Sequence, residues 1–211
     1  MKAGDSWELA DMPAAIIAYD WLCREMEAQG LARPAGEGIY PIWAWKQYLG
    51  SAKPKPDLRD SVMKQWGRNE RHVLLTLDVP DDEVILHDYE AWHYPLNHWY
   101  LGPAEASEDF ERRCDQAGCP RGGDMPLAVL ALREELEASW RRIFDLDTVG
   151  ARMGGGAFDM QIIQATFWEL RMDQIISAVE FGLDRPKQLL PRRSVRVGPQ
   201  ALKSLVATGE S

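Results

Sequence analysis

The sequence predicts a single α+β domain in which several helices pack on a small mixed or antiparallel sheet, or on a split form of such a sheet. Four or five segments have strand patterning and three or four have helical patterning, without the regular alternation of a doubly wound fold. The chain has 211 residues, of which 45% are hydrophobic and 27% charged, which suffices for one sizeable core. We expect residues 1–190 to form the domain and residues 191–211 a partly flexible C-terminal tail.

The first predicted element is a helix over residues 13–29. Pro13 suits a first helical turn, where its missing N–H costs nothing, and Gly30 is a stop signal. Apolar side chains recur between them at helical spacing, so one face of this helix should be core. Residues 31–38 are rich in Pro and Gly and predict a loop.

Residues 39–49 (IYPIWAWKQYL) predict an aromatic strand whose start or edge is marked by Pro41. The following segment, residues 53–60 (KPKPDLRD), contains two X-Pro steps, which exclude regular structure. It is expected to be a loop with a charged tip.

Residues 71–79 predict a second strand, followed by a turn at residues 80–82 and a third strand at residues 84–87. Asp88 is then a suitable N-cap for a short helix that kinks near Pro95. Large apolar residues recur at helical spacing on both sides of that proline, at Trp92, Leu96, Trp99 and Tyr100.

Two further helices are predicted at residues 104–116 and 126–145, the second with Pro126 in its first turn. Residues 117–125 between them predict a loop or lid. Residues 150–156 (GARMGGG) lack both GxxxxGK[ST] and GxGxxG, so they predict a flexible linker or flap rather than a phosphate loop. The last predicted strands of the domain cover residues 161–172 and 175–181.

Composition narrows the function classes. There are 24 Lys and Arg against 33 Asp and Glu, a net charge of −9, which argues against general nucleic-acid binding because phosphate neutralisation needs a basic surface. The sequence has no signal-peptide pattern and no run of 18 apolar residues, so we expect a cytoplasmic protein without membrane contact. Three cysteines make a disulfide framework improbable in that compartment.

Nine tryptophans are the unusual feature of the composition. Most lie in apolar-patterned segments, which indicates a core, but Trp43 and Trp45 offer an aromatic wall beside it. Five of the nine lie in AYDWLCREM (residues 18–26), YPIWAW (40–45) and VPDDEVILHDYEAWHYPLNHWYL (79–101), and a fourth motif, KPDLR (55–59), lies between the last two. In this order, and with the later QATFWEL (164–170), the chain resembles a family of bacterial and phage proteins catalogued as a domain of unknown function. That resemblance implies no substrate and no catalytic residue.

The first candidate chemistry is that of an NAD-using transferase of the ADP-ribosyltransferase kind, by analogy with split-sheet α+β proteins of that class. Such a site needs aromatic rings beside the nicotinamide, hydrogen-bond donors, and a carboxylate that holds the ribose 2′-hydroxyl while positive charge develops. We expect Tyr40 with Trp43 or Trp45 to supply the aromatic rings. His93 or Arg59 would supply the hydrogen-bond donors, and Gln164 with Glu169 the polar groups of the late strand.

Glu169 is the predicted catalytic carboxylate, with His93 as its catalytic companion and the other residues holding NAD. Gln164 and Glu169 are five positions apart on one predicted strand, so they point to opposite faces unless a bulge intervenes. A solvent-facing Glu169 without a catalytic role is the competing interpretation.

Asn97 lies four residues after His93, on the same helical face, and the two side chains form a polar pair suited to a small-molecule pocket. A buried hydrogen-bond network is the alternative. In the KPDLR loop, Arg59 is either a bidentate ligand for a phosphate or carboxylate, or a partner of Asp57 that only fixes the loop.

A metal site is a weaker candidate. His93, His98, Cys114 and Cys119 give H-x4-H-x15-C-x4-C, which approaches zinc-ligand spacing in reverse order. Residues five apart on a helix diverge in direction, however, so the two histidines would need the Pro95 kink to converge. We therefore expect no metal.

Two functional hypotheses follow from the sequence. The leading one is a protein that binds NAD or a related nucleotide in an aromatic-lined cleft and resembles ADP-ribosyltransferases, whether or not it is an enzyme. The alternative is a non-enzymatic protein-interaction module of phage or mobile-element origin that uses exposed tryptophans.

Overall fold

The computed structural model describes residues 13–36, 38–66, 68, 70–119, 130–152, 161–190 and 203–207. Its α-helices are α1 (Pro13–Ala28), α2 (Ser61–Trp66), α3 (Tyr89–Leu96), α4 (Ala104–Gln116), α5 (Leu130–Trp140) and α6 (Leu146–Arg152). Its strands are β1 (Ile42–Gln47), β2 (His72–Leu77), β3 (Ile85–Asp88), β4 (Ile163–Phe167), β5 (Ile175–Gly182), β6 (Asp184–Leu190) and β7 (Lys203–Ala207). Short 3-10 turns lie at Asp81–Glu83, Arg141–Phe144 and Met172–Gln174.

The strands form two antiparallel groups, β3-β4-β1 and β2-β5-β6, and β7 lies between them to give the order β3-β4-β1-β7-β2-β5-β6. β7 pairs along β2 but meets β1 only at Ser204 opposite Trp45. The predicted α+β class is therefore confirmed, with antiparallel pairing between the strands described.

One face of β3-β4-β1 packs towards the other strand group. Ala44, Ala165 and Phe167 from this face form a buried cluster with Leu77 and Val79, which lie at and just beyond the end of β2. Residues directly opposite in antiparallel strands share a face, so the alternate residues of β1, β3 and β4 point to the helical side. The larger cluster lies there, around Trp21, Trp140 and their neighbours.

Several predicted elements are confirmed. α1 ends two residues before Gly30, which has a φ of 92° that suits glycine. β1 begins directly after Pro41, and α4 has the predicted bounds. Asp88 caps α3, because its carboxylate accepts a hydrogen bond of 2.8 Å from the Ala91 amide.

Other predictions need correction. The helix expected at 126–145 is helical over Leu130–Trp140 and tightens into a 3-10 turn, while residues 126–129 lie outside the described part. The sequence predicts residues 150–152 to be flexible, but they form the last turn of α6. At the start of this helix the Val149 amide donates to the Asp145 carbonyl, and the Val149 side chain is buried. Residues 153–156 and 120–125 lie outside the described part.

The strands predicted at residues 71–79 and 84–87 are joined by a short turn, as expected, but they are not neighbours in the sheet. A 3-10 turn at Asp81–Glu83 separates β2 from β3, and the two strands enter different antiparallel groups. Among the helices that the structure describes, none is both long and apolar enough to cross a bilayer.

Candidate functional site

A row of three side chains crosses β1, β4 and β3 on the helical side of the sheet. Trp45 lies opposite Gln164, and Gln164 lies opposite His87. The next row contains Trp43, Thr166 and Ile85. The register therefore brings two predicted ligand-binding residues, Trp45 and Gln164, side by side.

Polar atoms without partners are concentrated in these rows. The Trp43 Nε1, both ring nitrogens of His87, the Gln164 Oε1 and the Thr166 Oγ1 are buried and have no hydrogen-bond partner among the described residues. Buried polar atoms are normally paired, so this group, here called the buried polar cluster, is the strongest chemical anomaly in the described core. None of its four side chains carries a charge at neutral pH, because burial lowers the pKa of His87 to about 3.

Aromatic rings continue outward from Trp45. Its indole contacts Tyr48 at 5.5 Å between ring centroids and Tyr89 at 5.3 Å, and Tyr89 contacts His93 at 5.0 Å. All three contacts are edge-to-face, and all four side chains are half-buried. We call Trp45, Tyr48, Tyr89 and His93 the aromatic platform.

Local structure explains how the platform forms. Tyr89 is the first residue of α3, and its amide donates to the Ile162 carbonyl just before β4, which anchors the helix start beside the sheet. Tyr48 follows β1 and its amide donates to the Pro54 carbonyl, just before the KPDLR motif. Burial raises the pKa of Tyr48, with a further upward contribution from Asp60, so its hydroxyl stays protonated near neutral pH.

His93 and Asn97 do not form the predicted convergent pair. The side-chain amide of Asn97 donates to the His93 backbone carbonyl at 2.7 Å, which is a local bond at the C-terminal end of α3. The Asn97 side chain is exposed. The His93 Nδ1 lies 3.2 Å from the Glu90 carbonyl, and its ring packs on Tyr89. His93 thus belongs to the platform, while Asn97 serves the helix end.

Tyr40 and Trp43 belong to a different aromatic group. Both rings contact Tyr19 of α1, at 5.8 and 5.6 Å, and Trp43 also contacts Trp92 at 5.0 Å. We call Tyr19, Tyr40, Trp43 and Trp92 the inner aromatic group. The Tyr40 hydroxyl lies 3.4 Å from the Asp20 carboxylate, and burial raises the pKa of Tyr40. Of the two predicted walls, Tyr40 with Trp43 lies in one group through Tyr19, whereas Trp45 belongs to the platform.

Glu169 does not lie on a strand, and that part of its prediction is wrong. β4 ends at Phe167, because Trp168 leaves the sheet to donate its Nε1 hydrogen to the Leu31 carbonyl at 3.0 Å. Glu169 is exposed and lines a cavity of about 180 Å³ with Trp168 and Arg171. This places it outside the set of residues that form the platform and the buried polar cluster.

Arg59 is exposed on its loop and pairs with Asp57, its Nη2 lying 2.6 Å from the carboxylate. The same guanidinium holds the pKa of Asp57 well below its usual range. Arg59 therefore stabilises its own loop by pairing with Asp57, which is the second of the two predicted roles. In the part of the chain that the structure describes, it makes no contact with the platform residues.

The four residues of the metal hypothesis do not all lie together. His98 stacks at 6.1 Å on Trp140, which belongs to the larger buried cluster with Cys114 and Cys119, whereas His93 belongs to the platform. Among the residues described, no three or more His, Cys, Asp and Glu gather as metal ligands.

The sequence interpretation missed four residues of these two groups: Tyr48, Tyr89, His87 and Thr166. His87 and Thr166 had a signal, since each is a polar residue within a strand at an inward-facing alternate position. Tyr48 and Tyr89 had none, because each follows the end of a strand and only the tertiary structure brings it to Trp45.

Comparison with known proteins gives one match. The model of a family described as a domain of unknown function, DUF3841, matches residues 8–176. This confirms the resemblance found from the tryptophan-bearing motifs. No curated protein and no solved structure shows significant similarity to the chain.

Proposed function

The chain belongs to the DUF3841 family, and we propose that it binds a planar, nucleotide-type ligand such as NAD on the aromatic platform, as an ADP-ribosyltransferase-like protein. The position of Trp45 carries the proposal. It is the one residue that belongs to the half-buried platform and also faces Gln164 across the strand pair. A ligand ring on this indole lies beside the Gln164 amide, whose Oε1 has no hydrogen-bond partner among the described residues.

The platform supplies the stacking surface. The half-buried Trp and Tyr rings of the platform offer a large apolar contact surface, and rigid aromatic side chains lose little conformational freedom on binding. Stacking of a base on an aromatic side chain contributes about 1–3 kcal/mol. This favours nicotinamide or adenine over an aliphatic ligand.

The buried polar cluster supplies the preference for a neutral group. Gln164 and Thr166 offer an amide and a hydroxyl, and His87 stays uncharged because burial lowers its pKa to about 3. Uncharged donors and acceptors pair well with a carboxamide or a base edge, and an unpaired buried polar atom rejects ligands that cannot satisfy it.

The likeness to ADP-ribosyltransferases rests on fold-level analogy, namely an antiparallel sheet in two groups with an aromatic wall on one of them. Glu169 lies away from the platform, so no carboxylate is assigned to the ribose, and the proposal concerns ligand binding before any transfer step. A nucleotide ligand and reduced cysteines are both consistent with the cytoplasmic localisation expected from the sequence.

Ligand binding is tested by a thermal-shift and tryptophan-fluorescence titration with NAD, nicotinamide, AMP and ADP-ribose. A ligand that binds only the folded protein raises the Tm as its concentration exceeds the Kd. Nicotinamide and AMP tested separately show which ring stacks on Trp45. A panel that changes neither Tm nor fluorescence contradicts the proposal.

The matched variants are Trp45→Ala and Trp99→Ala. Trp99 is 56% exposed and its ring contacts Tyr94, which is not a platform residue. We expect Trp45→Ala to weaken binding roughly tenfold or more, from the stacking contribution, and Trp99→Ala to leave it unchanged. Equal weakening by both substitutions contradicts a site centred on Trp45.

Exposed tryptophans favour a second function, that of a protein-interaction module of phage or mobile-element origin. Trp99 is 56% and Trp66 44% exposed, both unusual for so large an apolar side chain. This alternative predicts a silent nucleotide panel and concentration-dependent association in sedimentation that Trp99→Gln abolishes.

A further inference from the structure

The C-terminal end of α4 brings two cysteines together. The Gly118 amide donates to the Asp115 carbonyl at 3.1 Å, and the Cys119 amide donates to the Cys114 carbonyl at 3.0 Å. With Gly118 at a φ of 70°, these two bonds define a Schellman motif. In that motif the side chains of the first and last residues, here Cys114 and Cys119, frequently pack together.

The same geometry sets the distance between their backbones. With standard bond lengths, a 3.0 Å bond from the Cys119 amide to the Cys114 carbonyl keeps the two Cα atoms within about 7 Å. Disulfides usually span about 4.4–6.8 Å between Cα atoms. The largest Cα–Cα separation that the hydrogen bond allows is therefore close to the upper end of the disulfide range. Both side chains lie in one buried cluster, and the Cys119 thiol lies near enough to contribute to the raised pKa of Cys114.

We propose that Cys114 and Cys119 form a reversible intramolecular disulfide when the protein meets a low-molecular-weight disulfide such as oxidised glutathione. The thiolate of one cysteine attacks the reagent's S–S bond and expels one reagent thiolate. The second cysteine, as its thiolate, then attacks the mixed disulfide at the protein sulfur and expels the other. The two protein thiols are oxidised, the reagent is reduced to two thiols, and the two protons end on those thiols.

Burial slows this reaction without changing its product. Cys119 is 8% and Cys114 3% exposed, so Cys119 is the more accessible first nucleophile. Burial, with the neighbouring thiol, raises the pKa of Cys114 to about 11, which makes its thiolate scarce near neutral pH. The rate should therefore rise with pH over the alkaline range.

Cys23 is the internal control. It lies on α1, is 1% exposed, and has a pKa raised mainly by burial. The sequence also separates it in a digest, because trypsin cuts after Arg113 and Arg121 and releases both paired cysteines in one peptide, residues 114–121.

The test treats the folded full chain with oxidised glutathione at neutral and alkaline pH, alkylates the remaining thiols, and analyses the tryptic peptides by mass spectrometry. We expect peptide 114–121 to lose two hydrogens and escape alkylation, faster at alkaline pH, while the Cys23 peptide is alkylated. Alkylation of both paired cysteines, glutathione retained on either, or a cross-link to Cys23 overturns the proposal.

Cys119→Ser and Cys23→Ser complete the experiment, with circular dichroism as the check that each variant folds. Cys23→Ser should still form the disulfide, whereas Cys119→Ser should yield none and at most retain glutathione on Cys114. A Cys23→Ser protein that no longer loses two hydrogens from peptide 114–121 contradicts the pairing. The outcome is independent of nucleotide binding, since neither cysteine belongs to the platform.

Discussion

Trp43 and Trp45 lie two residues apart on the same face of β1, yet they have different roles in the structure. Trp43 packs against the larger buried cluster through Tyr19 and Trp92. Trp45 belongs to neither of the two buried clusters among the described residues and contacts Tyr48 and Tyr89 instead.

The difference comes from the helices above the strand. Trp43 packs against rings from two helices, Tyr19 of α1 and Trp92 of α3, whereas Trp45 contacts Tyr89, the first residue of α3, and Tyr48 just beyond its own strand. Both tryptophans are half-buried, so they differ in their neighbours rather than in their exposure. Strand alternation therefore predicts which residues share a face, and the covering element decides which of them is core and which remains available to a ligand.

The largest expected effect is on folding. Trp43→Ala should lower the free energy of unfolding by about 3 kcal/mol, because it leaves a cavity among Tyr19, Trp92 and His87. Trp45→Ala should cost about 1 kcal/mol, since Trp45 packs against neither buried cluster of the described residues. Urea unfolding of both variants measures the difference, and equal losses would contradict the division into core and platform.

His87 connects the two regions, and its protonation should change stability with pH. Its folded-state pKa is about 3, below the unfolded value near 6.5, so the unfolded state binds more protons between these values. Stability is thus fully present above about pH 6.5 and falls as the pH decreases towards 3, by up to about 1.4 kcal/mol per pH unit.

The control for this prediction is His87→Gln, which cannot titrate there. Unfolding free energies measured across the acidic range should fall less steeply for the variant than for the unsubstituted chain. Parallel pH profiles would show that His87 is not held neutral by its burial.

Local signals predicted much of the fold. Pro13 and Gly30 bound α1, Asp88 caps α3, and alternation along β1 puts Trp43 and Trp45 on one face. These features depend on residues close in sequence, whose capping and backbone preferences are strong.

The errors arose where distant contacts decide the structure. The bond from Trp168 to the Leu31 carbonyl ends β4 and removes Glu169 from the sheet, although QATFWEL has a strand pattern. Likewise, nothing near Tyr48 or Tyr89 in the sequence indicates that both will contact Trp45. The inner part of the site was therefore predictable from Trp45 and Gln164, and the platform around them was not.

The smallest expected effect is at Arg59. Its guanidinium is exposed and pairs with Asp57 on the same loop, so Arg59→Ala should change neither the Tm nor nucleotide affinity measurably. The same titration used for the platform variants measures both. A clear loss of nucleotide affinity would restore the phosphate-binding role that the sequence suggested for this loop.

Trp45, rather than Trp43 or an exposed tryptophan, is the residue that we propose carries a planar nucleotide ligand. The decisive experiment is isothermal titration of NAD into the unsubstituted chain, Trp45→Ala and Trp99→Ala. We expect measurable binding to the unsubstituted chain and to Trp99→Ala, and a roughly tenfold or greater loss of affinity in Trp45→Ala. Binding that survives Trp45→Ala unchanged, or no binding to any of the three proteins, would contradict it.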